Sequence, residues 1–558
     1  MDQEINRRSF LGKGAVMGGA ALLGTAAAAG LAGCGGGSSS SSGTSSSSGT
    51  AGVGTGTPVK GGTLTVAVTS EINGFYPATS NLDWTGRTYA NSLYDLLVVV
   101  GSDGGYEPYL CQSITPNSTF DVWTMTLRPG VTFHDGSALT SAVVVSNVNA
   151  LKGSLLTGKA LQQVTSVTAP DAMTVTYTLA GPNPDFPLLL TTQVGYVVAQ
   201  SMIDQAKSGT KTVTPVGTGP FVYSEWQPND HLTVTRNPHY WRAGLPYLDK
   251  VVFRPVTDSV QRESALKTGS VDFIVSNDPG TVVRFSDNPS YQVVDSRNEV
   301  VGEPNMTFIA LNTAVAPTND LSIRQALTKA TNQSVIQKVF GKGLQSPVNG
   351  PFLKGSPYYT DNGFPSYNLS AAKSLVSQYK ASHGTPTVAI VTITDPRLAV
   401  LTQLLQQMWQ EAGFVVTIQP VEQAVLASNL IAGKYQTITV TQFGAVTPDL
   451  NYNWWSTTTI SPPGTLALNY TRNSDQDIES ALLQGRATTD AATRNSAYQT
   501  VSKQLADDLP YIWLGQSIFS EVAELRVQNF NNLKTPDGKS VHSFLEGTFF
   551  PTEIWLQN

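Results

Sequence analysis

Charge is scarce in this chain. Asp, Glu, Lys and Arg make up 13% of its 558 residues, 40 acidic against 34 basic, for a net charge of −6. No basic run reverses that balance, and such a surface repels a phosphate backbone, so a nucleic-acid partner is excluded. Cysteine is scarcer still, with only Cys34 and Cys111. That excludes the disulfide framework that staples small secreted domains, and a chain this long can bury enough core without one. Cys111, in Tyr109-Leu110-Cys111-Gln112, has no His or cationic neighbour to lower its pKa and reads as a small buried apolar residue. The five histidines (134, 231, 239, 383 and 542) are scattered. His134 beside Asp135 is far short of a metal-ligand set, and His239 reads as turn packing. No metal and no other cofactor is expected. Catalytic signatures are missing too: there is no G-x-S-x-G elbow, H-E-x-x-H helix or G-x-x-x-x-G-K-[ST] loop. Gly341-Lys342-Gly343 lacks the preceding glycine and the following hydroxyl, and Asp507-Asp508 carry no sign of a cleft. The expectation is a binding protein, not an enzyme. An extracellular hydrolase is the alternative, because a glycosidase's two carboxylates can lie far apart in sequence.

What is present begins with a targeting pattern. Arg7 and Arg8 stand in Asn6-Arg7-Arg8-Ser9-Phe10-Leu11, an apolar small-residue segment follows from Ala15 to Ala32, and Leu31-Ala32-Gly33-Cys34 ends it. A charged start, an apolar middle and a small-residue exit describe an export signal over residues 1–33. The paired arginines resemble the twin-arginine address, with Asn6 in place of the usual Ser or Thr. Leu-Ala-Gly-Cys resembles a bacterial lipobox, which implies cleavage before Cys34 and lipidation of its thiol. The expected location is the outer face of the bacterial cell membrane. Arg7, Arg8 and Lys13 would leave with the signal against Asp2 and Glu4, making the mature chain one unit more negative. Residues 34–58 are mostly Gly, Ser and Thr, a composition that buries nothing and predicts a flexible tether.

Folded sequence starts with the alternating strand pattern of Gly61 to Val68. Trp123 to Leu127 and Met173 to Leu179 read as half-buried strands, punctuated by Pro129-Gly130 and Asp135-Gly136 turns. Later, Thr387 to Thr394 is a β-branched strand followed by Asp395 as N-cap and Pro396 at the first helical position. Leu398, Leu401, Leu405, Met408 and Ala412 recur at helical spacing before Gly413, and Phe414 to Ile418 is the next strand. A second helix, Glu422 to Ala432, leads to the strand Thr437 to Phe443. Strand, helix, strand with short joints predicts an α/β domain with a parallel core.

Several motifs then fall in a telling order. Leu93-Tyr94-Asp95-Leu96-Leu97-Val98, Trp123 to Leu127 with Arg128 to Gly136, Gly217-Thr218-Gly219-Pro220-Phe221, Asn237-Pro238-His239-Tyr240-Trp241, Arg324-Gln325-Ala326-Leu327, Ala371-Ala372-Lys373 and Pro448-Asp449 resemble those of extracytoplasmic solute-binding proteins of ABC importers, the oligopeptide/dipeptide/nickel type known as family 5. The match runs from about Gly61 to Leu556. The resemblance implies an α/β, two-lobed periplasmic-binding-protein-like (type II) clamp with an extra domain inserted in the first lobe. The first lobe would comprise 59–90, 214–303 and 508–558, the extra domain 91–213 and the second lobe 304–507. It implies a small-molecule or peptide solute, ABC permease and ATPase partners, a membrane contact through the lipid anchor, and a monomer. Relatives take dipeptides, longer peptides, nickel chelates, opines or oligosaccharides, so the ligand stays open. So does the choice between import and sensing.

Ligands of open parallel sheets sit at the carboxyl ends of strands. The strand ending at Phe443 runs into a loop holding Asp449, Tyr452, Trp454 and Trp455. In peptide-binding relatives an aspartate at the position resembling Asp449 holds the ligand's amino terminus; the other reading is a cap of the turn after Pro448. Trp454 and Trp455 read as apolar walls or sugar-stacking rings, or as lobe packing. Trp84, after the first strand, is the candidate on the facing lobe. Arg472 is a candidate for a ligand carboxylate or a solvated surface residue.

Overall fold

The computed structural model describes residues 51–154, 157–210, 213–297, 301–545 and 547–557, all within one compact unit, Gly49–Asn558. Arg7, Arg8, Cys34 and the tether up to residue 50 lie outside the described residues. Among the described residues no helix is long and apolar enough to cross a membrane.

Two large sheets carry the structure. The first has seven strands in the spatial order Tyr291–Asp295, Ser520–Glu524, Phe273–Ser276, Thr63–Val68, Lys250–Pro255, His231–Arg236 and Phe221–Gln227. Thr63–Val68 lies parallel to both of its neighbours, and the outer pairings are antiparallel. Leu64, Val66, Ala67 and Val68 are almost fully buried, as a central strand covered on both faces requires. Between the first strand of this sheet and its return at Phe221 the chain builds a four-stranded antiparallel sheet, Cys111–Pro116, Val122–Leu127, Thr174–Leu179 and Val164–Thr168. Its alternation is that of the sequence: Trp123, Met125, Leu127, Val175, Tyr177 and Leu179 point into the core. Cys111 is buried there too, and burial pushes its thiol up to about 12.

The second large sheet runs Val415–Val421, Thr387–Ile393, Thr437–Gln442, Met306–Leu311, Tyr511–Gln516. Its first three strands are parallel, as the strand-helix-strand spacing predicts. Met306–Leu311 is antiparallel to both neighbours, so the core is mixed rather than wholly parallel. The helix Pro396–Glu411 starts where expected: Asp395 accepts from the Arg397 and Leu398 amides at 2.7 and 3.0 Å. Its buried stripe is Leu401, Leu405 and Trp409, with Leu398 and Met408 only partly covered. Burying each such side chain contributes about 1.5–3 kcal/mol. Gly413, at φ +106°, turns the chain into Val415.

Tyr511–Gln516 corrects an expected boundary. Placed with the first lobe by the division at 508, it pairs with Met306–Leu311 in the second sheet. The chain crosses back only at 517–519, beside the outgoing crossing at 296–305. The crossings are tied by Ser517 N to Asn305 O at 2.7 Å, by the hydroxyls of Thr307 and Ser517 at 2.7 Å, and by Ser296 N to Phe519 O at 3.0 Å. The end of the tether needs a second correction. Residues 52–55 lie on the first sheet's flank, with Gly52 N on Gln292 Oε1 at 3.2 Å, Thr55 N on Gln528 Oε1 at 2.9 Å and Asn531 N on Gly52 O at 2.9 Å. A Cβ at Gly52 would lie 2.7 Å from the Asn531 Cβ, so glycine permits this close approach, and glutamine side chains satisfy the backbone.

Four of the sequence motifs meet in one place. Asp95 accepts from Thr218 Oγ1 at 3.0 Å, Tyr240 Oη at 3.0 Å and Trp241 Nε1 at 2.8 Å. His134 pairs through Nε2 with Gly219 O and through Nδ1 with Gly217 N, at 3.0 and 3.2 Å. Four segments far apart in sequence are thereby locked where the inserted sheet joins the first large sheet. Burial raises the Asp95 carboxyl to about 6 despite its three donors, and burial lowers the His134 pKa.

Candidate functional site: the cleft between the two large sheets

Four strand ends converge on one cavity. Thr63–Val68 leads towards the helix Trp84–Leu93, Phe273–Ser276 to Asn277, Thr387–Ile393 to Arg397, and Thr437–Gln442 to the loop at 443–455. Residues from each of these exits, with Thr191 to Val194 of the inserted domain, enclose about 530 Å³. That volume is in the range that encloses a drug-sized ligand, and its placement follows the rule for carboxyl ends of parallel strands.

Trp84, Phe443 and Trp454 stand in the cavity wall. Trp84 is held by Nε1 on Thr69 Oγ1 at 3.0 Å and by an edge contact with Phe519. Phe443, at φ +80°, stacks flat on Phe308 with centroids 4.9 Å apart, and Trp454 leans on Tyr470. The remaining candidates do not line the cavity. Asp449 is buried, its carboxylate taken by Arg486 Nε at 2.6 Å and Asn183 Nδ2 at 3.1 Å. Tyr452 is buried, donates to Glu479 Oε1 at 2.6 Å and lies under the Arg486 guanidinium, 3.6 Å from its centroid. Trp455 packs in the core against Phe443 and Phe352. Arg472 is neither a ligand clamp nor a solvated residue. It is 4% exposed and donates to the carbonyls of Tyr470, Ser461, Thr465 and Ile431 at 2.8–3.2 Å, stapling three segments. Burial lowers its pKa.

Two arginines escaped the sequence reading. Arg87 lies one helical turn from Trp84, and its Nη2 reaches Thr191 O at 3.4 Å. Arg397 follows Asp395-Pro396; its Nη1 donates to Asn277 O at 2.9 Å and its guanidinium carbon is 5.1 Å from the Phe340 centroid. Burial lowers the Arg397 pKa, with Asp395 and Asp278 opposing. The signal for both was present: each sits just past a strand end that topology had already marked. Asp83, the acid in the lining, caps the helix by accepting from Gly86 N at 3.0 Å, and burial raises its pKa.

Contacts bridge the cleft in two places. Arg397 to Asn277 forms one seam. On the other side Asp185, from the inserted domain, accepts from Thr447 Oγ1 and Arg494 Nη2 of the second lobe. Asn183 reaches Asp449, and Gln162 Nε2 reaches Asn453 Oδ1 at 3.2 Å.

A two-lobed α/β clamp with its cavity at the carboxyl ends of both sheets defines a type II periplasmic binding protein. Residues 105–463 match the family model for bacterial extracellular solute-binding proteins, family 5. The chain belongs to that family, the substrate-binding proteins of ABC importers. It is 26% identical over 468 residues to a glutathione-binding protein, GsiB, of Pectobacterium atrosepticum, covering 80% of this chain and 87% of the relative. Two solved structures share the fold. The binding protein AgaA of A. tumefaciens R10, in complex with agropinic acid, superposes with a TM-score of 0.78 at 23% identity, over 89% of this chain and 99% of that one. DppA of Helicobacter pylori, in complex with the peptide STSA, gives 0.77 at 23%, over 90% and 99%.

Proposed function

We propose that the 530 Å³ cavity holds a peptide-like or other small polar solute, that the lobes close over it, and that the closed form presents it to the membrane permease. The observation that carries this reading is the pair of seams: Arg397 meets the Asn277 carbonyl, and Asp185 and Asn183 meet Thr447 and Asp449, bridging the lobes beside a mixed apolar and polar chamber. Relatives named for glutathione and for a peptide complex support a solute of that size. The chain binds the solute without altering it, a reading supported by the lining carboxylate among the described residues, Asp83, being committed to helix amides. The mature protein stands on the outer face of the membrane, held by lipid on Cys34, and acts as a monomer.

Thermal melts of the purified protein with low-molecular-mass fractions of yeast extract test the solute reading. A ligand at a hundredfold excess over Kd adds about 2.7 kcal/mol of stability, so at least one fraction should raise Tm. If none does, the reading fails.

A further inference from the structure

The charges of the cleft narrow the ligand class, granted that the cleft is where solute binds. Among the described residues its charged lining is Asp83, Arg87 and Arg397. Asp83 is spent on the helix amides. The carboxylates nearby are spent too: Asp449 on Arg486, Asp185 on Arg494, and Asp278 on the Gly280 amide, Ser259 and Arg284. None of these faces the chamber free to receive an ammonium group. The guanidiniums are the reverse case. Arg87 and Arg397 hydrogen-bond to backbone carbonyls rather than to carboxylates, and the Arg87 bond is long. The Arg87 Nε is enclosed, with the Tyr196 hydroxyl beside the guanidinium. A guanidinium held by one long bond keeps donors to spare, and its fork matches a carboxylate in two parallel hydrogen bonds. The rest of the wall, with Trp84, Trp454, Leu426 and Leu430, is apolar or neutral.

We propose that the solute is an organic acid: its carboxylate is received by Arg87, its body lies against Trp84 and Trp454, and it carries no free ammonium group. This chain therefore recognises its ligand from the acid end, not through an aspartate on an amino terminus.

The test is mass spectrometry, in both polarities, of small molecules released when the full-length protein purified from cells grown in rich medium is denatured, before and after labelling of primary amines. The expected product is an acid that takes no amine label. Its recovery should fall about ten- to a hundredfold from Arg87→Gln, the weight of one charge-assisted hydrogen bond, and return in part with Arg87→Lys. A released free-amine peptide or a neutral sugar, or equal recovery from Arg87→Gln, overturns the acid assignment and leaves solute binding intact. No released compound together with no Tm change in yeast-extract fractions overturns the solute reading beneath it.

Discussion

The ion pair between Asp185 and Arg494 exists only while the lobes touch, which gives it a measurable signature. Asp185 comes from the inserted domain, and both of its partners, Arg494 and Thr447, come from the second lobe. The two side chains are 18% and 14% exposed, between a solvated surface pair, worth about 0–1 kcal/mol, and a fully buried one. A charge-assisted hydrogen bond in that setting is worth about 1.5–3 kcal/mol. Asp185→Asn removes the charge and keeps the shape, so the closed form loses that energy while an open form loses nothing. Affinity for the compound the protein releases on denaturation should fall about ten- to a hundredfold, with the ligand-free melting temperature unchanged. Asp449→Asn is the contrast. Its main partner, Arg486, belongs to the same lobe, and the carboxylate is 6% exposed. Stranding that arginine should cost about 3–5 kcal/mol of stability with or without ligand. Calorimetry and melts on both variants separate the cases. If Asp185→Asn lowers the ligand-free melting temperature and leaves affinity alone, the pair is a static contact and the closure argument is wrong.

Three more outcomes are expected. His542 lies by the crossings, and burial lowers its pKa to about 4 from 6.5. Between those values the unfolded chain binds a proton that the folded chain refuses. Stability therefore rises with pH across the window, by about 3 kcal/mol, and is lost as pH falls towards 4. Asp95, raised to about 6, slopes the other way, so the check is the difference in pH profile between wild type and His542→Gln, which should lack the rise. Arg472→Ala should destabilise by several kcal/mol by removing four hydrogen bonds and leaving the Ser461 and Thr465 carbonyls unpaired, read by urea unfolding; an unchanged midpoint would contradict the staple. Cys34→Ala should abolish fatty-acid labelling, while equal labelling of wild type and variant would remove the lipid-anchor proposal.

What could be read from the sequence was governed by local chemistry. Asp395-Pro396 and Gly413 bracket their helix because caps act on the backbone within one turn, and the β-branched runs at 387–393 and 437–442 became parallel strands. Trp409 was missed because a helical stripe drifts, and the tertiary neighbour Thr331, which receives its indole N–H at 2.9 Å, is 78 residues away. The site was half legible. Topology marked the loops, and Trp84, Phe443 and Trp454 reached the cavity. Whether a side chain in such a loop faces the chamber depends on what lies behind it. Asp449 turned towards Arg486, Arg472 towards four carbonyls, and Trp455 into the core, partners between 2 and 103 residues distant that no local pattern announces. Four of the motifs, by contrast, proved to be joinery around Asp95 and His134, so they report the fold and not the ligand.

Closure itself can be measured directly. Lys159 and Thr489 are exposed and stand, in opposite lobes, three and five residues before the seam residues Gln162 and Arg494. Spin labels at these two positions give the distance across the cleft with and without the compound released from the purified protein. A broad, longer distribution that collapses to one short distance on adding that compound is the result expected of a clamp. An identical distribution in both samples, with binding saturated, would contradict the account.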